Sequence, residues 1–433
     1  MGIFIFLAAV VVEIILGVFC IVTKSYQKKV RTIVRITAFA GFILSCILSV
    51  IDWSFRYYAL ATLLLLLTIT GTVGLIRKKQ LQKEYGAVRV VLKSIGMTVL
   101  FFVAALPLIV FPQYDTIKPS GKYQVATAAF TYTDLKRVET YNNSGENRKL
   151  NVEMWYPKDA EGTYPLIVFS HGSLGLKTSN QNLYNELASH GYVVCSIDHT
   201  YQCFFTTDKD GHTTLLDMGY MRELNEELSR DDREFSYKCY QKWMKLRMGD
   251  ISFVIDHILA QAGKSDADKV YKLVDSSKIG VMGHSLGGSA ALGMGRARND
   301  VSAVIALESP FMYDVKGVKD GELVFADEKY PVPVLNVYSD DSWSHLGEWY
   351  QYRENYNLLS DTNPDAFNVY ISGVGHLTLT DLSIESPILA NLLNGQKSTK
   401  KNVYCLKTLN KVCLEFFDCY LKGGNKFISG GSY

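Results

Sequence analysis

The chain has no excess of charge of either sign: its 433 residues include 45 basic and 43 acidic side chains, a formal net charge of +2. Proteins that bind nucleic acid through its phosphates present a basic surface, so the overall charge gives no indication of such a partner. The chain also lacks a C-x-x-C sequence, although it has 8 cysteines. The spacing therefore indicates neither a zinc site nor a redox dithiol, and no metal or organic cofactor is expected.

Apolar residues, in contrast, make up 48% of the chain, and the excess lies at the N-terminal end. Four apolar runs there have about the length that spans a bilayer. The first lacks the basic n-region and cleavage site of a signal peptide, so it is expected to be retained; its one charged residue, Glu13, either has a function or faces the helix bundle. Residues 1–112 are predicted to form a membrane domain and residues 113–433 a second domain. The predicted transmembrane helices are 3–23, 32–51, 57–76 and 95–112.

Basic residues are unevenly distributed among the segments that connect these runs. The loop between the second and third runs has only Arg56, whereas the other two connections are rich in lysine and arginine. The positive-inside rule places the basic connections in the cytoplasm, so residues 113–433 are predicted to lie on the extracytoplasmic side of the plasma membrane, tethered to the lipid bilayer. The basic residues are Lys24, Lys28, Lys29, Arg31 and Arg35 in the first connection, and Arg77, Lys78, Lys79, Lys83, Arg89 and Lys93 in the third.

A short apolar run at 277–282 leads into Gly283-His284-Ser285-Leu286-Gly287-Gly288, and a run of small residues follows. Strand, G-x-S-x-G and helix is the order that a nucleophile elbow requires. The turn is so tight that its flanking positions favour glycine, and it exposes the serine hydroxyl above the sheet. Ser285 is therefore the candidate nucleophile, and the backbone N–H of Leu286 is a candidate oxyanion donor. The alternative is an ordinary glycine-rich turn between a strand and a helix.

Continuous apolar runs predict the strands of the second domain. Residues 165–169, 192–197, 301–307 and 333–338 read as strands buried on both faces, with helical segments between them. An alternating pattern over 125–156 predicts antiparallel strands before them. The fold class is therefore α/β, a mostly parallel, doubly wound sheet. Residues 203–245 interrupt the alternation and are either a lid over the active site or a solvated elaboration.

Acyl transfer by a serine needs a histidine base and an acid that orients the histidine. His376 follows the last predicted strand in a Gly-x-Gly-His sequence and is the candidate base; His345 is the other histidine after the serine. The acid is left open by spacing alone, because Glu308 ends one strand and Asp340 and Asp341 follow the next.

The loop Ser170-His171-Gly172-Ser173-Leu174-Gly175 leaves a buried strand early in the domain, where the second oxyanion donor of such enzymes lies. The backbone N–H of Ser173 or Leu174 is expected to face that of Leu286. His171 is expected to brace this loop. His199, at the end of the next strand, is a candidate for the pocket wall.

Several stretches between residues 117 and 421 resemble the platelet-activating factor acetylhydrolase family of α/β-hydrolases, in the plasma or type II lineage and its bacterial relatives. They are Pro119-Ser120-Gly121-Lys122-Tyr123, Val152-Glu153-Met154-Trp155-Tyr156-Pro157, Val168-Phe169-Ser170-His171-Gly172, Leu187-Ala188-Ser189-His190-Gly191-Tyr192, Gly283-His284-Ser285-Leu286-Gly287-Gly288 and Gly375-His376. The resemblance does not cover the four apolar runs.

The resemblance implies an α/β-hydrolase fold and a choice of acid. The family has its acid in an Ala-Leu-Asp sequence after the strand that follows the nucleophile, which here is Ala306-Leu307-Glu308. This implies Glu308, with Asp340 in reserve because glutamate replaces the usual aspartate. Ser173 resembles an insertion in the family's oxyanion loop, and it is the donor we expect beside Leu286. The implied substrates are phospholipids with short or oxidised acyl chains.

The sequence as a whole predicts a membrane-tethered serine hydrolase of carboxylic esters. Two other classes use the same residues: an acyltransferase or peptidase with the same triad, and a non-catalytic membrane sensor or scaffold that retains the fold. The complete set of serine, acid and histidine favours the enzyme.

Overall fold

The computed structural model describes residues 2–77, 85–142, 144–360 and 363–433. The chain divides into two compact units, Met1–Asp115 with Ile384–Leu389, and Thr116–Ser383 with Ala390–Tyr433. Lys78, Lys79 and Lys83, three of the basic residues that orient the predicted topology, lie outside the described residues.

Four helices form the N-terminal part, and each is long and apolar enough to cross a membrane. The fourth begins at Ala87, before the predicted start at residue 95, because Arg89 and Lys93 lie on its first turns and shorten the apolar run without interrupting the helix. The second begins at Lys28 rather than residue 32 for the same reason. The helices are α1 Gly2–Val22, α2 Lys28–Ile47, α3 Tyr58–Ile76 and α4 Ala87–Val110.

The second unit is built from strands and helices that largely alternate along the chain. The strands are β1 Val125–Val138, β2 Asn147–Pro157, β3 Tyr164–Ser170, β4 Val193–Asp198, β5 Phe205–Thr207, β6 Thr213–Leu215, β7 Val274–His284, β8 Val301–Leu307, β9 Val315–Lys319, β10 Glu322–Phe325, β11 Val334–Tyr338, β12 Ala366–Tyr370 and β13 Gly431–Ser432. The helices are α5 Gln181–Ser189, α6 Met218–Ser229, α7 Arg233–Ala262, α8 Lys269–Lys272, α9 Leu286–Ala297, α10 Asp340–Trp343, α11 Arg353–Ser360, α12 Leu382–Glu385, α13 Pro387–Leu393 and α14 Asn402–Lys422.

Nine strands form one sheet in the order β1-β2-β4-β3-β7-β8-β11-β12-β13. The pairs β1–β2 and β2–β4 are antiparallel, and every later pair is parallel. The predicted α/β class, with an antiparallel start and a doubly wound parallel sheet, is confirmed. Two separate hairpins, β5–β6 and β9–β10, lie outside this sheet.

The central strands are buried on both faces, because successive side chains of a strand point to opposite sides. In β3, Leu166 and Val168 belong to one apolar core, with α7 and α9, whereas Ile167 and Phe169 belong to the other, with α5 and α14. Cys195, Cys405 and Cys413 are buried free thiols in these cores. Continuous apolar runs in the sequence thus correspond to strands covered by helices on both sides.

The parallel strands bring their carboxyl ends to one edge of the sheet, where ligand sites of open α/β sheets form. Ser285 follows β7, Glu308 follows β8, Asp340 follows β11, and His376 lies on the loop after β12. The fold therefore places the candidate residues on neighbouring loops at this edge.

Candidate active site

Ser285 lies at the turn between β7 and α9 with a positive φ of 54° and a ψ of −127°. Such a conformation is uncommon for a residue with a side chain and marks local strain. A Cβ on Gly283 would overlap the backbone of Gly287, and a Cβ on Gly287 would overlap the backbone of Ser170. Both glycines of the G-x-S-x-G sequence are thus required by close backbone approach, as the sequence predicts.

Glu308 directly follows β8, and its buried carboxylate faces His376. The distance from His376 Nδ1 to Glu308 Oε2 is 3.7 Å, an ion-pair distance rather than a hydrogen bond. The carboxylate also accepts from Ser339 Oγ at 2.8 Å and from the Ser342 backbone N–H at 3.0 Å. Burial acts to raise the pKa of Glu308, but the His376 imidazole and the bonds from Ser339 and Ser342 outweigh it and lower the pKa. The carboxylate is therefore held ionised beside the imidazole.

Asp340 contacts the same loop at a different point. Its carboxylate accepts from Tyr370 Oη at 2.6 Å and from the Gly373 backbone N–H at 2.9 Å. The neighbouring Asp341 accepts from the backbone N–H of His376 at 2.6 Å. These two aspartates hold the backbone of the loop, whereas Glu308 is the acid that faces the His376 ring.

The other candidate histidine, His345, is engaged elsewhere. Its Nδ1 lies 2.7 Å from Glu348 Oε2, and its ring stacks on Trp349 with 4.7 Å between centroids. The side chain is 42% exposed. These contacts account for the position of the His345 ring, and neither of them involves Ser285.

His284 contacts the candidate base directly, a role for which sequence reasoning gave no indication. His284 Nε2 lies 3.1 Å from the carbonyl oxygen of His376, and the two rings are 4.5 Å apart between centroids. Burial, with the neighbouring His376 ring, holds the pKa of His284 well below its usual value. A neutral His284 can donate Nε2–H to that carbonyl. The sequence feature that could have drawn attention to His284 is its position directly before Ser285.

The loop after β3 passes close to Ser285. A Cβ built on Gly172 would lie 2.9 Å from His284 Nδ1 and 3.2 Å from Ser285 Cβ, so this position also favours glycine. The Leu174 N–H donates to the Gln202 carbonyl at 3.2 Å and is therefore occupied. Within the described part of the chain, the Ser173 N–H has no protein acceptor. Of the two predicted donors, Ser173 is the one with an available N–H.

A buried polar network supports the loop after β3. Ser170 Oγ lies 2.8 Å from His199 Nε2, and His199 Nδ1 lies 2.9 Å from Asp250 Oδ2. Asp250 in turn binds Arg148 through two contacts of 2.7 Å. His199 has no exposed surface, so the idea that it lines the pocket is wrong; it links the loop to α7 instead.

His171 braces the loop, as predicted. Its Nδ1 lies 2.6 Å from the Gly172 carbonyl oxygen, and its Nε2 accepts from the backbone N–H of His199 at 3.2 Å. The Arg247 guanidinium, from α7, donates to the His171 carbonyl. The carbonyl at Nδ1 and the N–H at Nε2 together fix the neutral tautomer with the proton on Nδ1.

His171, Asp198 and Cys203 form a buried cluster whose donor atoms lie within 4.8 Å of one another. Two of them are already engaged: both ring nitrogens of His171 have partners, and Asp198 accepts from Lys177 Nζ at 2.8 Å and from Thr206 Oγ1 at 2.7 Å. Burial raises the pKa of the Cys203 thiol to about 12, so the thiol keeps its proton. The hydrogen bonds of His171 and Asp198, with one more from the Lys177 backbone N–H, occupy both ring nitrogens and both carboxylate oxygens, so this donor set does not fit a metal ion.

The buried histidines predict a loss of stability in mild acid. Burial, aided by Arg247, lowers the pKa of His199 to about 4, against about 6.5 in an unfolded chain. Between these values only the unfolded state binds the proton, so stability is complete above pH ~6.5 and falls as the pH is lowered, by up to about 1.4 kcal/mol per unit for each such histidine. The measurement is the unfolding midpoint of the full chain in detergent from pH 7 to 4.5, followed by tryptophan fluorescence.

The matched variants for this prediction are His199→Asn and His345→Asn. The first removes a buried titrating group, and the midpoint should then depend less steeply on pH. The second removes an exposed histidine and should leave the slope unchanged. Equal slopes for His199→Asn and the unaltered chain would contradict the assignment.

Comparison with known proteins places this site in a family. A family model described as platelet-activating factor acetylhydrolase, isoform II, matches residues 128–430. The platelet-activating factor acetylhydrolase of Cavia porcellus is 23% identical over 271 residues, which cover 60% of this chain and 58% of the relative. That of Canis lupus familiaris is 30% identical over 146 residues, 30% of this chain and 31% of the relative. The chain thus spans less than two thirds of the curated relatives it matches.

Esterases with other names also match this chain. Cutinase est1 of Thermobifida alba is 27% identical over 154 residues, 36% of this chain and 38% of the relative. The solved structure of a ferulic acid esterase from Streptomyces cinnamoneus matches with a TM-score of 0.53 and 21% identity, over 71% of this chain and 93% of that chain. The structural match confirms the α/β-hydrolase fold, and the family model establishes that this chain belongs to the platelet-activating factor acetylhydrolase isoform II family.

Proposed function

We propose that the chain is a serine hydrolase that cleaves carboxylic esters through an acyl-enzyme on Ser285. The observation that carries the proposal is the strained position of Ser285 between β7 and α9, on the sheet edge where His376 faces the buried carboxylate of Glu308. A strained serine at a strand–turn–helix elbow, on the same sheet edge as a histidine that faces a buried carboxylate, is typical of enzymes that transfer acyl groups.

In the proposed reaction, Ser285 Oγ attacks the ester carbonyl carbon while His376 Nε2 accepts the hydroxyl proton. The tetrahedral intermediate collapses when His376 returns this proton to the oxygen of the leaving alcohol. Water then attacks the acyl-enzyme by the same two transfers and releases the carboxylic acid. Glu308 keeps the Nδ1–H tautomer of His376 and stabilises the imidazolium that forms.

The negative charge of each intermediate forms on the former carbonyl oxygen, and the backbone N–H groups of Leu286 and Ser173 are proposed to hold it. Leu286 begins α9, whose N-terminal end also favours negative charge. Ser173 is tied to the 203–245 insertion, since Tyr220 of α6 donates to Ser173 Oγ at 3.0 Å. Movement of this insertion is thereby coupled to an oxyanion donor, which supports its proposed role as a lid.

We propose phospholipids with a short or oxidised acyl chain as the substrate class. The name of the mammalian relatives supports this choice, and so does an apolar patch on the insertion. Phe204 and Leu215 are 63% and 66% exposed, and Phe205 pairs with Leu215 across the β5–β6 hairpin. Exposed apolar side chains that adjoin one another are typical of surfaces that meet lipid.

The four N-terminal helices are proposed to anchor the hydrolase unit in the plasma membrane, with the catalytic unit on the extracytoplasmic side. Their length and apolar composition support a membrane location, and the basic residues at the ends of α2 and α4 support the orientation.

Hydrolysis by the full chain in lipid nanodiscs tests this function. We expect turnover of p-nitrophenyl acetate and of 1-palmitoyl-2-acetyl-phosphatidylcholine, with kcat/KM for the acetyl lipid about tenfold or more above that for the 2-oleoyl lipid. The absence of turnover of any ester by a folded chain would reject the esterase. Transfer of the acyl group to an added alcohol in preference to water would assign the acyltransferase alternative.

Gly172→Ala is expected to lower kcat for ester hydrolysis by about 10- to 100-fold. The added Cβ would press on His284 Nδ1 and Ser285 Cβ and displace either the oxyanion loop or the nucleophile. Gly317→Ala is the matched control, because its Cβ would meet no described atom within 4 Å. The measurement is kcat for both variants together with the unfolding midpoint, and an unaltered kcat in Gly172→Ala would show that this contact does not position the site.

A further inference from the structure

A cleft of about 690 Å³ opens between α2, α3 and α4 of the N-terminal unit, and none of its lining residues belongs to the proposed hydrolase site. One face of each helix lines it. The face of α2 covers its first two turns, that of α3 its last two turns, and that of α4 runs from Val90 to Leu100. The cleft therefore begins at the basic ends of these helices and extends inward along α4.

Four cations line this cleft: Lys28, Arg31, Arg35 and Lys93. Among the residues that the structure describes, no carboxylate oxygen lies within 4.0 Å of their charged nitrogens. Within the described residues, Glu13 of α1 acts on Arg35 from a greater distance. Cations that converge between apolar helices repel one another unless an anion joins them.

Hydrogen-bond donors of the two arginines remain unused in the same place. The Nε atoms of Arg31 and Arg35 are buried without a hydrogen-bond acceptor in the described part of the chain. Arg31 reaches Ser94 Oγ through Nη2, at 3.4 Å. A guanidinium group offers donors in a fork that matches two oxygens of a phosphate or a carboxylate. Since no carboxylate of the described residues occupies these donors, they fit a bound oxyanion such as a phosphate.

The inner part of the cleft is apolar and open. Met97 and Leu100 line it, and Leu100 lies about 10 Å deeper along α4 than Lys93, at ~1.5 Å per residue. A Cβ on Gly74 or Gly96 would meet no described atom within 4 Å, so these glycines leave room rather than fill a helix contact. A charged entrance followed by an apolar interior matches a molecule with a phosphate head and an acyl chain.

We propose that this cleft binds a phosphate-bearing anion, an anionic phospholipid whose headgroup phosphate contacts Arg31, Arg35, Lys28 and Lys93 and whose acyl chain extends toward Leu100. The inference rests on the proposal that the four helices lie in a bilayer, but not on the hydrolase activity. Basic clefts between membrane helices on the cytoplasmic side are sites of this kind, and the basic ends of α2 and α4 lie on the side that the positive-inside rule assigns to the cytoplasm.

The test is native mass spectrometry of the full chain in mild detergent, with dioleoyl phosphatidylglycerol, dioleoyl phosphatidylcholine and inorganic phosphate as probes. We expect one tightly bound phosphatidylglycerol and about tenfold weaker binding of phosphatidylcholine. Arg31→Gln with Arg35→Gln should weaken phosphatidylglycerol binding by about thirtyfold. Gly74→Phe, which fills the cleft and retains every charge, should weaken it as well.

The matched control is Lys24→Gln with Lys29→Gln, which removes the same charge from exposed positions outside the cleft and should leave binding unchanged. Equal affinity for the two lipids, or equal weakening by the control pair, would overturn the proposal. Displacement of the lipid by inorganic phosphate would support the phosphate site and assign it to a free phosphate compound; insensitivity to phosphate would support the lipid.

Ester hydrolysis and the unfolding midpoint, measured on every variant, separate the outcomes. Loss of lipid binding with unaltered hydrolysis and midpoint supports a site in the cleft. If the double arginine variant does not fold, Lys93→Gln and Gly74→Phe decide the question, and retention of full lipid affinity in both would overturn the proposal. A chain without ester hydrolysis still binds the lipid, so failure of the proposed function is distinct from failure of this site.

Discussion

The Ser285→Ala chain is expected to lose ester hydrolysis, with kcat reduced by about 10⁵- to 10⁶-fold. Alanine leaves no nucleophile at the turn between β7 and α9, so neither the acyl-enzyme nor its phosphonate counterpart can form. Labelling of the full chain by a fluorophosphonate probe should therefore disappear together with hydrolysis. Both readouts are measured on the same purified protein, and the unfolding midpoint establishes that the variant is folded.

Ser289→Ala is the matched control for this experiment. Ser289 lies one turn further along α9, is fully buried, and has no hydrogen-bond partner for its Oγ among the described residues. Its replacement should change kcat by no more than about twofold, since an unpartnered hydroxyl is lost without breaking a bond. Persistent labelling of Ser285→Ala would reject Ser285 as the nucleophile. Absence of labelling in the folded, unaltered chain would favour the non-catalytic scaffold.

The elbow and the parallel strands could be predicted from the sequence because each is marked by a local sequence pattern. Gly283 and Gly287 flank a turn in which a Cβ would overlap nearby backbone, so the requirement for glycine is visible in the sequence itself. The apolar run at 165–169 forms a strand with cores on both of its faces, which is the burial that a continuous run predicts. Neither inference needed a distant contact.

The acid could not be assigned from spacing, because Glu308 and Asp340 both contact the loop that carries His376. Glu308 faces the imidazole, whereas Asp340 binds the backbone at Gly373, three residues before His376. Both residues follow parallel strands at the same sheet edge, and only the three-dimensional path of the loop separates their roles. The resemblance to a family, rather than the spacing, favoured Glu308.

His284 and the network around Asp250 were missed for a similar reason. The contact of His284 with the His376 carbonyl joins positions 92 residues apart, and the contact of Arg148 with Asp250 joins positions 102 residues apart. In the sequence, Arg148 and Asp250 read as ordinary charged residues of a strand and a helix. Their burial becomes evident only when β2 and α7 pack together. Once buried, the two charges must pair with each other, since an unpaired buried charge is strongly destabilising.

Glu308→Gln is expected to lower kcat by about 10³- to 10⁴-fold with little change in KM. The amide has nearly the shape of the carboxylate, but it carries no charge to stabilise the imidazolium of His376 and does not select the Nδ1–H tautomer. Asp340→Asn should instead change kcat by less than about tenfold and lower the unfolding midpoint, because Tyr370 and Gly373 lose charge-assisted hydrogen bonds. The measurements are kcat, KM and the unfolding midpoint of each variant.

Glu308→Asp separates the charge of this residue from its reach. The shorter side chain retains the negative charge but cannot reach all of the present partners. The carboxylate moves away either from the imidazole, which is already 3.7 Å from it, or from the Ser339 hydroxyl and the Ser342 N–H. We therefore expect kcat between those of Glu308→Gln and the unaltered chain, since charge acts over a longer range than a hydrogen bond. A greater loss of kcat in Asp340→Asn than in Glu308→Gln would contradict Glu308 and assign Asp340 as the acid. Equal losses of kcat in Glu308→Asp and Glu308→Gln would show that the position of the carboxylate, which the bonds from Ser339 and Ser342 fix, matters as much as its charge.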